Sequence, residues 1–175
     1  MRRILLTSTI TLTTLAMSAA ALAASTVTEI VPRRDRTPIE KACPFEVVAS
    51  DRLEQTATSR YADDRDTLLA RTIKGKQQTV FEQTNGSAIE IEALGSTSIT
   101  RNADGTYALV QRGSGFWFDD GSLSGTAELL RFTGTVRAVG VYDAATFTFH
   151  PIAREIDGVT SSICDMLVTG LKTRH

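Results

Sequence analysis

The most obvious candidates for chemistry in this sequence are two neighbouring glutamates. Glu90 and Glu92 alternate along one predicted strand, which puts both carboxylates on the same face about 6–7 Å apart. Two carboxylates at that spacing could perform acid–base hydrolysis. The apolar residues that alternate with them predict that the glutamate face points to solvent, which favours an exposed strand face over a catalytic pair.

Nucleophilic catalysis has less support. His150 is the only histidine besides the terminal His175, and nothing in the sequence places it beside a partner. The stretch Gly121–Gly125 carries leucine where a G-x-S-x-G motif has its serine. We therefore predict no catalytic residue, and the alternative is an isomerase or cyclase that uses Tyr142, His150 or Glu92.

Metal binding is not indicated either. The acidic groups at 63–66 and 119–120 do not follow the spacing of an EF-hand loop, and they are typical of turns. No H-E-x-x-H motif and no closely spaced cysteine pair is present. The sequence thus predicts no metal site and no cofactor.

The aromatic stretch Phe116-Trp117-Phe118 lies between glycine-containing segments. In a barrel it could line the mouth of an apolar pocket, together with Tyr142. The competing interpretation is that Trp117 fills the floor of a small barrel. We take these four residues as the candidate ligand-binding set.

The first residues are typical of a secretory signal peptide. Arg2-Arg3 precedes an uncharged apolar run, and Ala21-Leu22-Ala23 provides an A-x-A cleavage site. Residues 1–23 are therefore predicted to be removed, which leaves 152 of 175 residues and no membrane span. That remainder has 17 basic and 20 acidic side chains, a net charge near −3, which gives no reason to expect nucleic acid as a partner.

The rest of the chain divides into three parts. Residues 24–42 contain two prolines and the charged run Arg33-Arg34-Asp35-Arg36, which predicts a flexible leader. Residues 43–171 form the single folded domain, and 172–175 are a tail. Cys43 and Cys164 both lie in the exported part, where they are expected to form a disulfide. Such a bridge would contribute roughly 4–5 kcal/mol in the chain-entropy treatment.

The strongest local signal is the hairpin at Gln77–Gly95. A three-residue loop, with Gly86 in the positive φ that a G1 bulge requires, pairs Gln83 with Ser87 and Phe81 with Ile89. A two-residue loop would shift the register by one and reverse the faces. We prefer the first register, because it places Phe81 and Ile89 together on the core face.

Similar short strands are predicted along the domain, with turns at Gly75, Asp104-Gly105 and Gly134, an irregular segment at 113–115 and an end at Pro151. Residues 160–171 favour a short helix behind Ser161-Ser162, with a strand that carries Cys164, Met166 and Val168 on one face as the alternative. The predicted fold is a mostly β, antiparallel meander of about eight strands. We expect the meander to close into a small barrel, with a β-sandwich as the alternative.

The chain resembles a group of small secreted proteins from high-GC Gram-positive bacteria without an assigned activity. The similarity lies in the order of landmarks from Cys43 to Leu167. The landmarks are Cys43-Pro44-Phe45, Thr79-Val80-Phe81, Thr84-Asn85, Gly86-Ser87, Asn102–Thr106, Gly134-Thr135-Val136, a strand ending in Asp143, and Ile163–Leu167. The resemblance implies a lipocalin-like or allene-oxide-cyclase-like barrel with its ends tied by the disulfide.

These observations predict a binding module that is secreted or held in the cell envelope. Its partner would be a small apolar ligand or an envelope protein. The barrel-cavity enzyme and a structural or interaction protein with a filled barrel are the alternatives.

Overall fold

The computed structural model describes residues 24–52, 55–62, 66–84, 86–143, 146 and 148–170. The predicted signal peptide, the tail, Asn85 of the hairpin and part of the 63–66 turn lie outside these ranges. The predicted mostly β, antiparallel fold with one short helix is confirmed. The elements are β1 (Ser25–Ile30), β2 (Thr37–Pro38), β3 (Val47–Asp51), β4 (Thr56–Tyr61), β5 (Leu68–Gln83), β6 (Ala88–Arg101), β7 (Tyr107–Asp119), β8 (Glu128–Asp143), β9 (Thr148–Ser162) and α1 (Ile163–Thr169).

The strands form one sheet in the order β1-β4-β5-β6-β7-β8-β9, and β3 pairs with both β2 and β5. The long strand β5 is thus shared, because its first half pairs with β4 and its last residues pair with β3. The described pairings do not close the barrel that we expected. No ladder among them joins β1 to β9, so the sheet is open.

The central hairpin has the preferred register. Phe81 pairs with Ile89, and the Gln83 N–H donates to the Ser87 carbonyl at 2.8 Å. Gly86 has φ 93°, as the G1 bulge requires. Phe81, Ile89 and Ile91 are all buried. The predicted strand pairing and the predicted core face are therefore both confirmed.

Five glycines from five consecutive strands lie side by side across the sheet. Each is the ladder partner of the next, and each has φ between 111° and 146°. A Cβ on most of them would meet the neighbouring backbone, which only glycine avoids. This glycine row consists of Gly75, Gly95, Gly113, Gly134 and Gly158.

The glycine row corrects our strand boundaries. We expected Gly75, Gly113 and Gly134 to end short strands, but they lie inside strands of 13 to 16 residues. A glycine that lacks a side chain and adopts positive φ allows a sharp bend while the ladder continues on both sides. Just beyond the row β6 and β7 separate, since their ladder ends at Leu94 and Ser114.

The separation produces two hydrophobic cores instead of one barrel interior. The β7–β8 ribbon beyond the row contacts both, because alternation sends neighbouring side chains to opposite faces. Phe116 packs on the first core and Trp117 lies in the second. The buried members of the first core are Ala42, Val47, Ala49, Phe81, Ile89, Ile91, Leu129, Ile163, Met166 and Leu167. Those of the second are Leu68, Ile99, Leu109, Trp117, Phe132, Val136, Ala138 and Tyr142.

The expected disulfide is present, with the Cα atoms of Cys43 and Cys164 5.6 Å apart. We expected the bridge to join the two ends of a closed barrel, and it does not. It ties the loop before β3 to α1, whose Ile163 and Leu167 are fully buried in the first core. The helix begins behind Ser162, whose Oγ accepts from the Asp165 N–H at 3.1 Å.

The segment 24–42, expected to be a flexible leader, contributes β1 and β2 to the sheet. Its charged run is not wholly solvated either, because Arg34 pairs with Asp51. The other difference lies at the edge of the sheet, where β9 runs through Pro151. Proline is tolerated there because β9 is an edge strand and the ladder shifts register opposite it, at Gly140.

Candidate functional site

A groove of about 520 Å³ opens beside the disulfide. One continuous stretch between β2 and β3, with the adjoining strand residues, builds it. We call this the disulfide groove. Its lining residues are Pro38, Ile39, Glu40, Lys41, Cys43, Pro44, Phe45, Glu46, Val47 and Val48. The apolar side chains form its surface, and Glu40, Lys41 and Glu46 provide charges among them.

Backbone pairing and the disulfide fix the shape of the groove. Pro38 pairs with Val48, and the Ile39 N–H donates to the Val47 carbonyl at 2.9 Å. Lys41 takes a left-handed conformation with φ 61°, which non-glycine residues adopt only where their surroundings hold them. The bridge from Cys43 then anchors the far side of the loop to α1. The groove is therefore preformed.

A buried polar network supports the neighbouring strand β3. The Asp51 carboxylate accepts from Arg34 Nε at 2.9 Å, Gln77 Nε2 at 2.9 Å and Thr79 Oγ1 at 2.7 Å. Burial alone would raise the pKa of Asp51, but the hydrogen bond and charge of Arg34, with the bonds from Thr79 and Gln77, hold it below the usual 3.8. The carboxylate is ionised at neutral pH and serves structure.

Arg34 links this network to the aromatic stretch. Its guanidinium carbon lies 5.0 Å from the centre of the Phe116 ring, which itself stands edge-on to Phe81 at 5.1 Å. A cation over an aromatic face is attractive in a partly buried setting. Phe116 is thus a packing residue of the first core.

The structure does not bring the four predicted ligand-binding residues together. Phe116 and Trp117 lie in different cores, and Phe118 is 37% exposed. Tyr142 is buried in the second core, edge-on to Tyr107. No single described groove is lined by more than one of the four.

Phe118 instead lines a second groove of about 180 Å³, which also contains His150. Here β7 and the following loop approach the start of β9. Two acidic turn residues share the groove, but their carboxylates are occupied: Asp119 accepts from the Gly121 N–H at 3.0 Å and Asp120 from the Ser122 N–H at 3.0 Å. Within the described ranges, no three His, Cys, Asp or Glu side chains form a group that could hold a metal ion.

The glutamate pair lies on a solvent face, as predicted. Glu90 pairs with Arg52 at 3.2 Å and contacts Gln78, and Glu92 lies 3.5 Å from Lys76. Exposed ion pairs of this kind contribute little to stability. The pair shows the geometry of a polar strand face.

Sequence reasoning missed a buried arginine. Arg71 is 2% exposed and lies beside the second core, where its Nη1 donates to Glu29 and Ser59. Burial raises the pKa of nearby Tyr142, an effect that the Arg71 charge partly offsets, so the phenol stays neutral. A sequence sign of its burial is that Arg71 lies two positions before Ile73 and therefore on the same strand face.

Comparisons with family models, with curated proteins and with solved structures gave no match to this chain. In the part of the chain that the structure describes, no helix is long and apolar enough to cross a membrane.

Proposed function

We propose that this protein is an exported, non-catalytic binding module whose disulfide groove receives an apolar segment of a partner polypeptide. The carrying observation is the groove itself. Its volume of about 520 Å³ is within the range of binding sites, and apolar side chains line it with a few charges among them.

A polypeptide fits this groove better than a small ligand does. Sites for small molecules usually enclose most of the ligand surface, whereas this groove is open and built from one loop. The two cores occupy the interior that a lipocalin-like barrel would offer to a ligand. The sequence suggested a ligand site inside a barrel, and the proposed site lies instead on the outer surface beside the disulfide.

Export is supported by the disulfide and by the predicted signal peptide at residues 1–23. Disulfides persist in oxidising compartments, and this one fixes the loop that builds the groove. The proposed partner is accordingly a protein of the cell envelope or its surroundings.

The alternative of a barrel-cavity enzyme has less support. Tyr142 and His150 occupy adjacent positions of the β8–β9 ladder, but alternation directs their side chains to opposite faces, so that Tyr142 is buried and His150 is exposed. Glu92 lies on the solvent face of β6. Catalysis would require them to reach one reacting centre.

Capture from a detergent extract of the envelope of the producing cells tests the proposal. Immobilised wild type and the variants Pro44→Glu and Glu155→Lys are compared, since both positions are exposed and only Pro44 lines the groove. We expect one protein to be retained by wild type and Glu155→Lys and lost from Pro44→Glu. Equal retention by all three, or a lipid co-purifying with the wild-type protein and no captured protein, would contradict the proposal.

A further inference from the structure

The first strand reaches a buried polar group of the protein through Glu29. Glu29 Oε1 of β1 accepts from Arg71 Nη1 at 2.6 Å, and the same nitrogen donates to Ser59 Oγ at 3.0 Å. Arg71 is almost fully buried, whereas Glu29 retains 33% of its side-chain exposure. Glu29 therefore covers one side of the Arg71 guanidinium against solvent.

A buried guanidinium requires such an anion, because an unpaired charge in the interior is strongly destabilising. The strand that supplies it is otherwise weakly held. Among the described strands β1 pairs with β4 alone, and none of its residues belongs to either core. Val27 and Ile30 are exposed. Among the described contacts, its attachment consists of ladder hydrogen bonds, one exposed hydroxyl contact between Thr28 and Thr58 at 3.4 Å, and one ion pair.

We propose that β1 is displaceable and that the edge of β4 with Arg71 behind it is a recognition site for an extended acidic polypeptide segment. The incoming strand would take the ladder positions of β1 along Thr56–Tyr61. Its carboxylate, at the position opposite Ala57, would take the place of Glu29 on Arg71 and Ser59. This site is independent of the disulfide groove.

The probe is a peptide with the sequence of residues 24–31, compared with the same peptide carrying glutamine at position 29. Both are titrated by fluorescence anisotropy into the full chain as wild type, Glu29→Gln and, as a matched exposed control, Glu155→Gln. We expect the glutamate peptide to bind Glu29→Gln at least about tenfold more tightly than the glutamine peptide does, since a hydrogen bond to a charged group is being compared with a neutral one. Wild type and Glu155→Gln bind it more weakly, because their own β1 competes.

Hydrogen exchange gives a second readout that does not depend on peptide affinity. In Glu29→Gln the amides of Thr56–Tyr61 that point to β1 should exchange faster than in wild type and Glu155→Gln, and the glutamate peptide should restore their protection. The alternate amides that point to β5 should not change. The amides of β7 should not change, which verifies that the variant is folded. Equal affinity for both peptides, absence of binding to Glu29→Gln, or unchanged exchange along β4 would overturn the proposal.

Discussion

Gly95 and Gly113 face each other across β6 and β7 so closely that neither position has room for a side chain. A Cβ on Gly95 would lie 1.8 Å from the Arg112 carbonyl oxygen, and one on Gly113 would lie 1.9 Å from the Leu94 oxygen. The obstructing atoms are backbone, which cannot rotate away. This contact sits where the β6–β7 ladder ends and the sheet separates towards its two cores.

Gly113→Ala should therefore lower the free energy of unfolding by more than about 2 kcal/mol, since it combines backbone strain with a backbone clash. Gly125→Ala is the matched control, because Gly125 also has positive φ but nothing within 4 Å of an added Cβ. The control should cost only about 1–2 kcal/mol. Urea unfolding of both variants measures the difference, and equal losses would argue against the packed glycine row.

Replacing both cysteines by serine should lower the free energy of unfolding by about 2–5 kcal/mol while the β-sheet is retained. The bridge closes a separation of 121 positions and holds the disulfide groove against α1. Urea unfolding with circular dichroism checks both parts. Thiols that titrate in the native, oxidised protein, or an unchanged unfolding midpoint, would show that the bridge is absent or plays no part in stability.

The Asp51 network should make stability depend on acid. Its pKa is lower in the folded protein than the usual 3.8, so the unfolded chain takes up the proton first. The contribution is complete above pH 3.8 and is lost as the pH falls through the lower folded value. Asp51→Asn should lower the free energy of unfolding by about 1.5–3 kcal/mol at neutral pH. It should also make the loss of stability in acid less steep.

Thermal unfolding between pH 2 and pH 7 measures the effect of Asp51→Asn. Asp157→Asn, at an exposed position of β9, is the control and should follow wild type. If the unfolding temperature of Asp51→Asn falls as steeply with decreasing pH as that of wild type, then other groups cause the acid dependence.

Ser162→Ala should remove the cap of α1 and cost about 1 kcal/mol, because the Asp165 N–H loses its acceptor. The neighbouring Ser161 is exposed and makes no capping bond, and its hydroxyl makes only a weak contact with Met166 Sδ at 3.8 Å, so Ser161→Ala should cost less than about 0.5 kcal/mol. Chemical unfolding of both variants compares them. A larger loss in Ser161→Ala would place the cap one residue earlier.

The features predictable from the sequence were local. The loop with Gly86 predicted the Phe81–Ile89 register, the Ser161-Ser162 pair indicated where α1 starts, and the presence of only two cysteines in a chain predicted to be exported indicated the bridge. Each of these depends on a few adjacent residues or on a unique pairing. They did not require knowledge of how distant strands pack.

The glycine row and the two cores were not predictable in the same way. A glycine with positive φ serves a turn and a mid-strand bend equally well, and only the alignment of Gly75, Gly95 and Gly113 across three strands separates the two uses. Because the row was missed, we predicted short strands joined by turns. The closed barrel was predicted because a meander of such hairpins can avoid exposed edges by closing. Arg71 was missed because its partners Glu29 and Ser59 lie far from it in sequence. The disulfide groove was missed because its stretch, although continuous, begins in the segment that we predicted to be a flexible leader.

The most direct test of the binding proposal is photo-crosslinking in intact cells from a benzophenone amino acid placed at position 44, inside the disulfide groove. The same amino acid at position 155, on the exposed face of β9, is the control. We predict one discrete adduct with a protein from position 44 and none from position 155, and an adduct from position 44 that disappears when Val48 in the groove is changed to glutamate. Identical adduct patterns from both positions, or no adduct from position 44, would contradict a partner in this groove.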